Sequence, residues 1–213
     1  ALVCEYSAVI GLTIHSSYVD FSTTQIVSII RIGNTSVESS CESKNIIEDC
    51  YLSLSMKGEA YEGGVANVLD LNCKNVETVI SNTKLIVNNE NYYNTCDGVR
   101  ISSGNALKTL KMINCEVEVD TTQEQVAMPP RGIAFNGEKL TMIDCSVKAN
   151  STITTCWGLE QSGTARIQNS DIIAISPNLD VSSAIGIYNR GTATTYLKDT
   201  NVFGVTSGVS NHG

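Results

Sequence analysis

The chain has little of what most functional classes need. It carries three prolines, two histidines and one tryptophan in 213 residues. No apolar run approaches the ~18 residues that a bilayer-crossing helix requires, so insertion into a membrane is not expected. Basic residues are scarce, 14 Lys and Arg against 22 Asp and Glu, for a formal charge of −8. That sign opposes a nucleic-acid groove or an anionic membrane surface as partner. Helical spacing is missing too: no window of about ten residues keeps apolar side chains at i, i+3, i+4 and i+7 between caps. The eight cysteines include no C-x2-C pair and the histidines are His15 and His212, so no metal site and no cofactor are expected. No Pro/Gly/Ser linker or charge run divides the chain, which favours one domain over residues 1–213.

What is present is a repeat. Gly186-Ile187-Tyr188-Asn189-Arg190-Gly191 is echoed 22 residues later by Gly208-Val209-Ser210-Asn211-His212-Gly213. The Gly-(Val/Ile/Leu) step also occurs at Gly64-Val65, Gly98-Val99, Gly132-Ile133 and Gly158-Leu159. A second pattern alternates with it: apolar, any, Asn/Asp, Cys/Thr/Ser, any, apolar, as in Met112-Ile113-Asn114-Cys115-Glu116-Val117 and Met142-Ile143-Asp144-Cys145-Ser146-Val147. Its Asn/Asp positions Asp49, Asn82, Asn114, Asp144, Asn169 and Asp199 are spaced 33, 32, 30, 25 and 30 residues apart. Inside each unit apolar residues alternate with period 2, the strand period. Short strands in units of ~30 residues, none able to bury its inner face alone, become stable by stacking coil on coil.

The expected fold is therefore all-β, a single-stranded right-handed parallel β-helix of about six or seven coils, a rod of ~30 Å. With these repeats the chain resembles the pectin-lyase-like superfamily of solenoids over most of its length. That resemblance implies architecture more than activity, because the fold carries enzymes, adhesins and phage tailspikes alike. The start at Ala1 without Met or leader, and the stop at Gly213 where Gly191 is followed by a further strand, lead us to expect a segment of a longer chain.

Cys50, Cys115 and Cys145 share the repeat position that Thr83, Ser170 and Thr200 occupy elsewhere, a small inward column, so they should be stacked free thiols. Cys96 and Cys156 share another column, each two residues before a glycine. Unpaired thiols suit assembly in a reducing interior, as for a phage structural protein. The Asn/Asp column, with Asn34 as its first member, should mark a tight corner, because these residues tolerate left-handed backbone and bond their own main chain.

Function should lie where repeat lengths vary, in segments 55–63, 88–97, 120–131, 150–157 and 176–185, which leave the same corner and line one edge of the rod. Tyr61, Tyr92, Tyr93 and Trp157 fall there beside Glu59, Glu62, Glu90, Asp97 and Glu124, a composition suited to sugar rings. Asn94, Thr95, Asp97 and Gly98 resemble the Asn-Thr-Asp-Gly segment of polygalacturonases, which implies Asp97 as a catalytic carboxylate. Cys96 is an insertion there, Arg100 stands where an acid belongs, and the next coil reads Met128-Pro129-Pro130-Arg131-Gly132 without the Asp-Asp pair. A lyase would draw on Arg100, Arg131 and Glu160, for which an exposed charge pair across coils is the simpler account. The reading is a non-catalytic, carbohydrate-facing segment of a virion or cell-surface protein, with a polysaccharide or cell-surface glycan as partner and a homotrimer as possible assembly. A polysaccharide hydrolase or lyase and a bacterial surface adhesin are the alternatives.

Overall fold

The computed structural model describes residues 2–4, 13–23, 28–32, 44–57, 65–71, 77–90, 95–101, 109–122, 129–152, 155–177 and 184–212. Among them every regular element is a strand. The strands form three sheets of eight, seven and seven members, called A, B and C in the order each coil visits them. One coil runs Thr95–Arg100 in sheet A, Thr109–Ile113 in sheet B and Glu116–Thr121 in sheet C. The next runs Arg131–Phe135, Lys139–Ile143 and Ser146–Ser151. Each strand pairs in parallel only with its counterparts on the neighbouring coils. The fold is a parallel β-helix, as the repeat spacing predicts, with eight, seven and seven strands in its three sheets among the described residues.

Period-2 alternation sets the inside. Leu110 and Met112 in sheet B and Val117 and Val119 in sheet C are fully buried, and Leu140, Met142, Val147 and Ala149 repeat those positions one coil later. A one-residue slip would turn all of these to solvent, so the buried face fixes the register.

Sheets B and C meet at a tight corner. Ser16, Asp49, Asn82, Asn114, Asp144, Asn169 and Asp199 all have φ between 48° and 56° there. Asn and Asp enter this left-handed region at least cost among residues with a side chain. Asn114 Nδ2 donates to Asn82 Oδ1 at 2.9 Å, and Asn82 Nδ2 donates to Asp49 Oδ1 at 3.0 Å, which ties successive corners together. The corner role expected of this column is what the backbone shows. Its first described member is Ser16, which donates its N–H to Glu48 O; Asn34 lies outside the described residues.

Behind each corner residue sits the small column. Cys50, Thr83, Cys115, Cys145 and Ser170 are buried, and Cys50, Cys96, Cys115, Cys145 and Cys156 are free thiols, as expected. In sheet A the glycine column is Gly98, Gly132, Gly158, Gly186 and Gly208, preceded by Val68. A Cβ on Gly132 would lie 2.4 Å from Val147 Cγ1 and 2.7 Å from Gly158 O, so the backbone approach leaves no room for a side chain. The expected Gly64-Val65 member is corrected: Val65 pairs with Thr95, and Val68 holds the place of Gly98.

The last two coils change character. Ala149, Cys156, Ala174 and Ala184 form a separate small cluster. Beside them runs an amide ladder, Gln161 Nε2 to Asn189 Oδ1 at 2.5 Å and Asn189 Nδ2 to Asn211 Oδ1 at 2.7 Å.

Candidate functional site

Three of the four catalytic candidates converge on the outer side of sheet A. Register places Asp97 beside Arg131 and Arg131 beside Trp157, while Arg100, Ala134, Glu160 and Tyr188 follow one another in a second row. Glycine between the rows faces the interior, so Asp97 and Arg131, one position before it, point the other way.

Arg131 is the centre of the arrangement. Its Nε and Nη2 donate to Asp97 Oδ1 and Oδ2 at 2.7 and 2.8 Å, and its Nη1 donates to Glu160 Oε2 at 2.5 Å. Arg190, one coil further on, pairs with Glu160 Oε1. Asp97 is 0% exposed, and Arg131 and Glu160 are 6% exposed. The exposed charge pair expected from sequence is thus corrected: Arg131 and Glu160 are buried together with Asp97, their polar atoms covered by the contacts they make with one another. The Arg100 side chain makes no hydrogen bond or ion pair among the described residues, and its charge acts on Asp97 only through space. Arg31 and Asp70 repeat the theme near the other end, with Nε to Oδ2 at 3.0 Å.

The electrostatics follow from burial. Burial pushes the Asp97 carboxyl above its ordinary value, and the Arg131 guanidinium pulls it back without full reversal. Burial alone lowers Arg131, but Asp97 and Glu160 more than offset it and hold Arg131 above its usual value. The two-pronged hydrogen bond from Arg131 favours the ionised form of Asp97 against the cost of burial, because both carboxylate oxygens accept from the guanidinium.

Chemically this arrangement braces neighbouring coils. Glycoside hydrolysis needs one protonated and one free carboxylate flanking the scissile bond. Both Asp97 oxygens and Glu160 Oε2 accept from Arg131, while Glu160 Oε1 is in ion-pair contact with Arg190 without a hydrogen bond. Beside them a cleft of ≈ 270 Å³ is lined by Arg100, Asn136, Glu160, Ser162 and Arg190. Ser162 Oγ donates to Asn136 Oδ1 at 2.6 Å across coils.

Of the ligand-binding candidates, Tyr61, Tyr92 and Tyr93 lie outside the described residues, as do Glu59, Glu62 and Glu124. Trp157 belongs to the strand Cys156–Gln161, not to a connecting loop. Its ring stacks on Tyr188 with centroids 4.3 Å apart, and Tyr188 stacks on His212 at 4.7 Å. Sequence reasoning missed Tyr188, Arg190 and His212. The signal was available in the glycine register: with Gly158 set against Gly186, Glu160 falls next to Tyr188. No protein-family model, no curated protein and no solved structure matches this chain.

Proposed function

We propose that the chain is a non-catalytic β-helical scaffold segment that presents a carbohydrate-facing surface on the outer side of sheet A. The observation that carries this reading is the neutralisation of Asp97 and Glu160 by Arg131 and Arg190, which leaves neither carboxylate free to give or take a proton from a sugar. Beside these pairs, the ≈ 270 Å³ cleft offers guanidinium, hydroxyl and amide groups at a rigid spacing. The Trp157, Tyr188 and His212 rings form one stack on the neighbouring coils, with apolar area to set against sugar C–H groups. A polysaccharide or cell-surface glycan is the partner, and a virion or cell-surface protein of the tailspike type within the pectin-lyase-like solenoids is the setting. Tyr196 and Phe203, 56% and 54% exposed, give a homotrimer apolar surface to cover.

The test pairs binding with turnover. Wild type and the Trp157→Ala, Tyr93→Ala double variant are run on a glycan array, and the wild type is incubated with acidic and neutral polysaccharides while reducing ends and unsaturated products are followed. Binding that falls in the variant, with no product formed, is expected. Release of product that is lost in Asp97→Asn would overturn the non-catalytic reading, and unchanged array binding in the double variant would remove the carbohydrate surface.

A further inference from the structure

On the opposite side of the solenoid, at the corner of sheets B and C, Cys115 and Cys145 hold one repeat position on consecutive coils. The strands around them are in register, Ile113 beside Ile143 and Glu116 beside Ser146, so the two Cβ atoms project side by side. Both residues line an open groove of ≈ 870 Å³ that follows the corner, with Asn114, Asp144 and Glu116 at its rim. We propose that this thiol pair is a binding site for a single soft monovalent cation of the copper type, held by two sulfurs.

Geometry selects that class of ion. Equivalent atoms on stacked coils lie ~4.8 Å apart. A linear sulfur–metal–sulfur unit with bonds no longer than the roughly 2.3 Å of zinc–thiolate spans at most about 4.6 Å, slightly under the coil spacing that the two side chains must close. A disulfide would need the sulfurs at about 2 Å with the Cβ vectors turned toward each other, which parallel stacking opposes. Harder ions lack ligands: among the described residues no group of three or more His, Cys, Asp or Glu comes together, as zinc or calcium would need. Two thiolates are sufficient for a soft ion.

Main-chain oxygens hold the thiols in place: Cys115 Sγ faces Ile80 O at 3.4 Å and Ile113 O at 3.3 Å, and Cys145 Sγ faces Ile143 O at 3.2 Å. On binding, two S–H bonds break, two sulfur–metal bonds form and two protons pass to water. No electron is transferred. Cys50 is excluded from the pair because Thr83 occupies the coil between it and Cys115, its Oγ1 accepting from Cys50 N at 3.3 Å.

The fold supplies its own control. Ser170 and Thr83 stand in the same column, so serine is admissible at Cys115 and Cys145 without loss of the fold. The reduced protein is titrated without oxygen with monovalent copper against a chromogenic chelator, as wild type, Cys115→Ser, Cys145→Ser and Cys50→Ser. One ion per chain in wild type and Cys50→Ser, with proton release, and none in the other two is the expected result. Retained binding in Cys115→Ser or Cys145→Ser, loss in Cys50→Ser, or failure of the wild type to compete with the chelator overturns the proposal. Independently of any variant, X-ray absorption of the loaded wild type must show sulfur neighbours alone, in a two-coordinate shell; added nitrogen or oxygen ligands would also overturn it.

Discussion

The corner between sheets B and C and the outer side of sheet A solve opposite problems with the same stacking. At the corner each coil contributes one left-handed residue and one small buried residue, and neighbouring coils contribute the same types again. In the two outer rows of sheet A the coils differ: Asp97, Arg131 and Trp157 succeed one another in one, and Arg100, Ala134, Glu160 and Tyr188 in the other. A repeated corner needs nothing beyond its own coil and the next. The charged face exists only as a set, because each buried charge depends on a residue about 30 positions away in the chain. Identical columns set the solenoid's geometry, and unlike columns set the charged face of sheet A.

The sharpest way to break this contrast is to remove Arg131. Arg131→Met leaves Asp97 and Glu160 facing a methionine, two carboxylates with their shared cation gone. Loss of one member of a buried pair costs about 3–5 kcal/mol. Urea unfolding should show a drop of that order. Arg131→Met combined with Asp97→Asn and Glu160→Gln should recover a large part of it. If Arg131→Met alone is within ~1 kcal/mol of wild type, the network is not buried as described.

A second test uses pH and the interior thiols of sheet A. Burial raises the Cys96 thiol to about 12, with Asp97 adding to the effect, and burial raises Cys156 to about 11. A folded-state value above the unfolded one means the neutral thiol favours folding. Its contribution is complete below about pH 9 and is lost as pH rises toward the folded value, at up to about 1.4 kcal/mol per unit for each group. Ala66 neighbours Cys96 and Ala184 neighbours Cys156 in register, so Cys96→Ala fits its surroundings. Between pH 9 and 11 wild type should lose about 2 kcal/mol more than Cys96→Ala. Parallel losses in the two proteins would contradict the assigned burial.

These two regions also differ in how far the sequence revealed them. The corner was legible because a single repeating position carries it: Asp49, Asn82, Asn114, Asp144, Asn169 and Asp199 are visible as a column and adopt one backbone conformation. Ser16 escaped because serine does not match the Asn/Asp pattern, although its φ of 48° is the same. Gly64-Val65 misled because a dipeptide is too short to fix register without the buried residues that follow it. On sheet A the sequence placed Arg100, Arg131 and Glu160 near each other but not their burial. Exposure depends on what stacks above and below, and a linear pattern does not carry that. Arg190, which pairs with Glu160, lies 30 residues from it inside the repeat at residues 186–191, and only the register of Gly158 against Gly186 brings the two together.

The glycine column sharpens the comparison from the inside of sheet A. Gly132→Ala would set a methyl 2.4 Å from Val147 Cγ1 and 2.7 Å from Gly158 O. The valine can turn, but the backbone oxygen of the next coil cannot move without disturbing the ladder. A loss of about 1–3 kcal/mol is expected in urea unfolding, in the range for overpacking a close-packed interior. Gly191, with φ of 56° and no atom within 4 Å of where a Cβ would stand, is the counterpart where space is free and only conformation counts. Gly191→Asn should cost less than Gly132→Ala, since Asn tolerates that region.

The smallest effect belongs to the corner, where each coil carries its own share of the strain. Asn114 sits at φ of 50° and donates from Nδ2 to Asn82 Oδ1. Replacing it by alanine removes that exposed hydrogen bond and leaves a Cβ in the left-handed region with no polar compensation, for a loss of about 1–2 kcal/mol. Replacing it by glycine removes the same hydrogen bond but relieves the backbone, so Asn114→Gly should unfold within about 1 kcal/mol of wild type. The order of the two variants is the measurement. If both variants fall equally far below wild type, the ladder of side-chain hydrogen bonds, lost in each, holds the corner and the coils are coupled there as they are on sheet A. If Asn114→Ala is the less stable, conformation holds it, and the corner is a local device repeated once per coil.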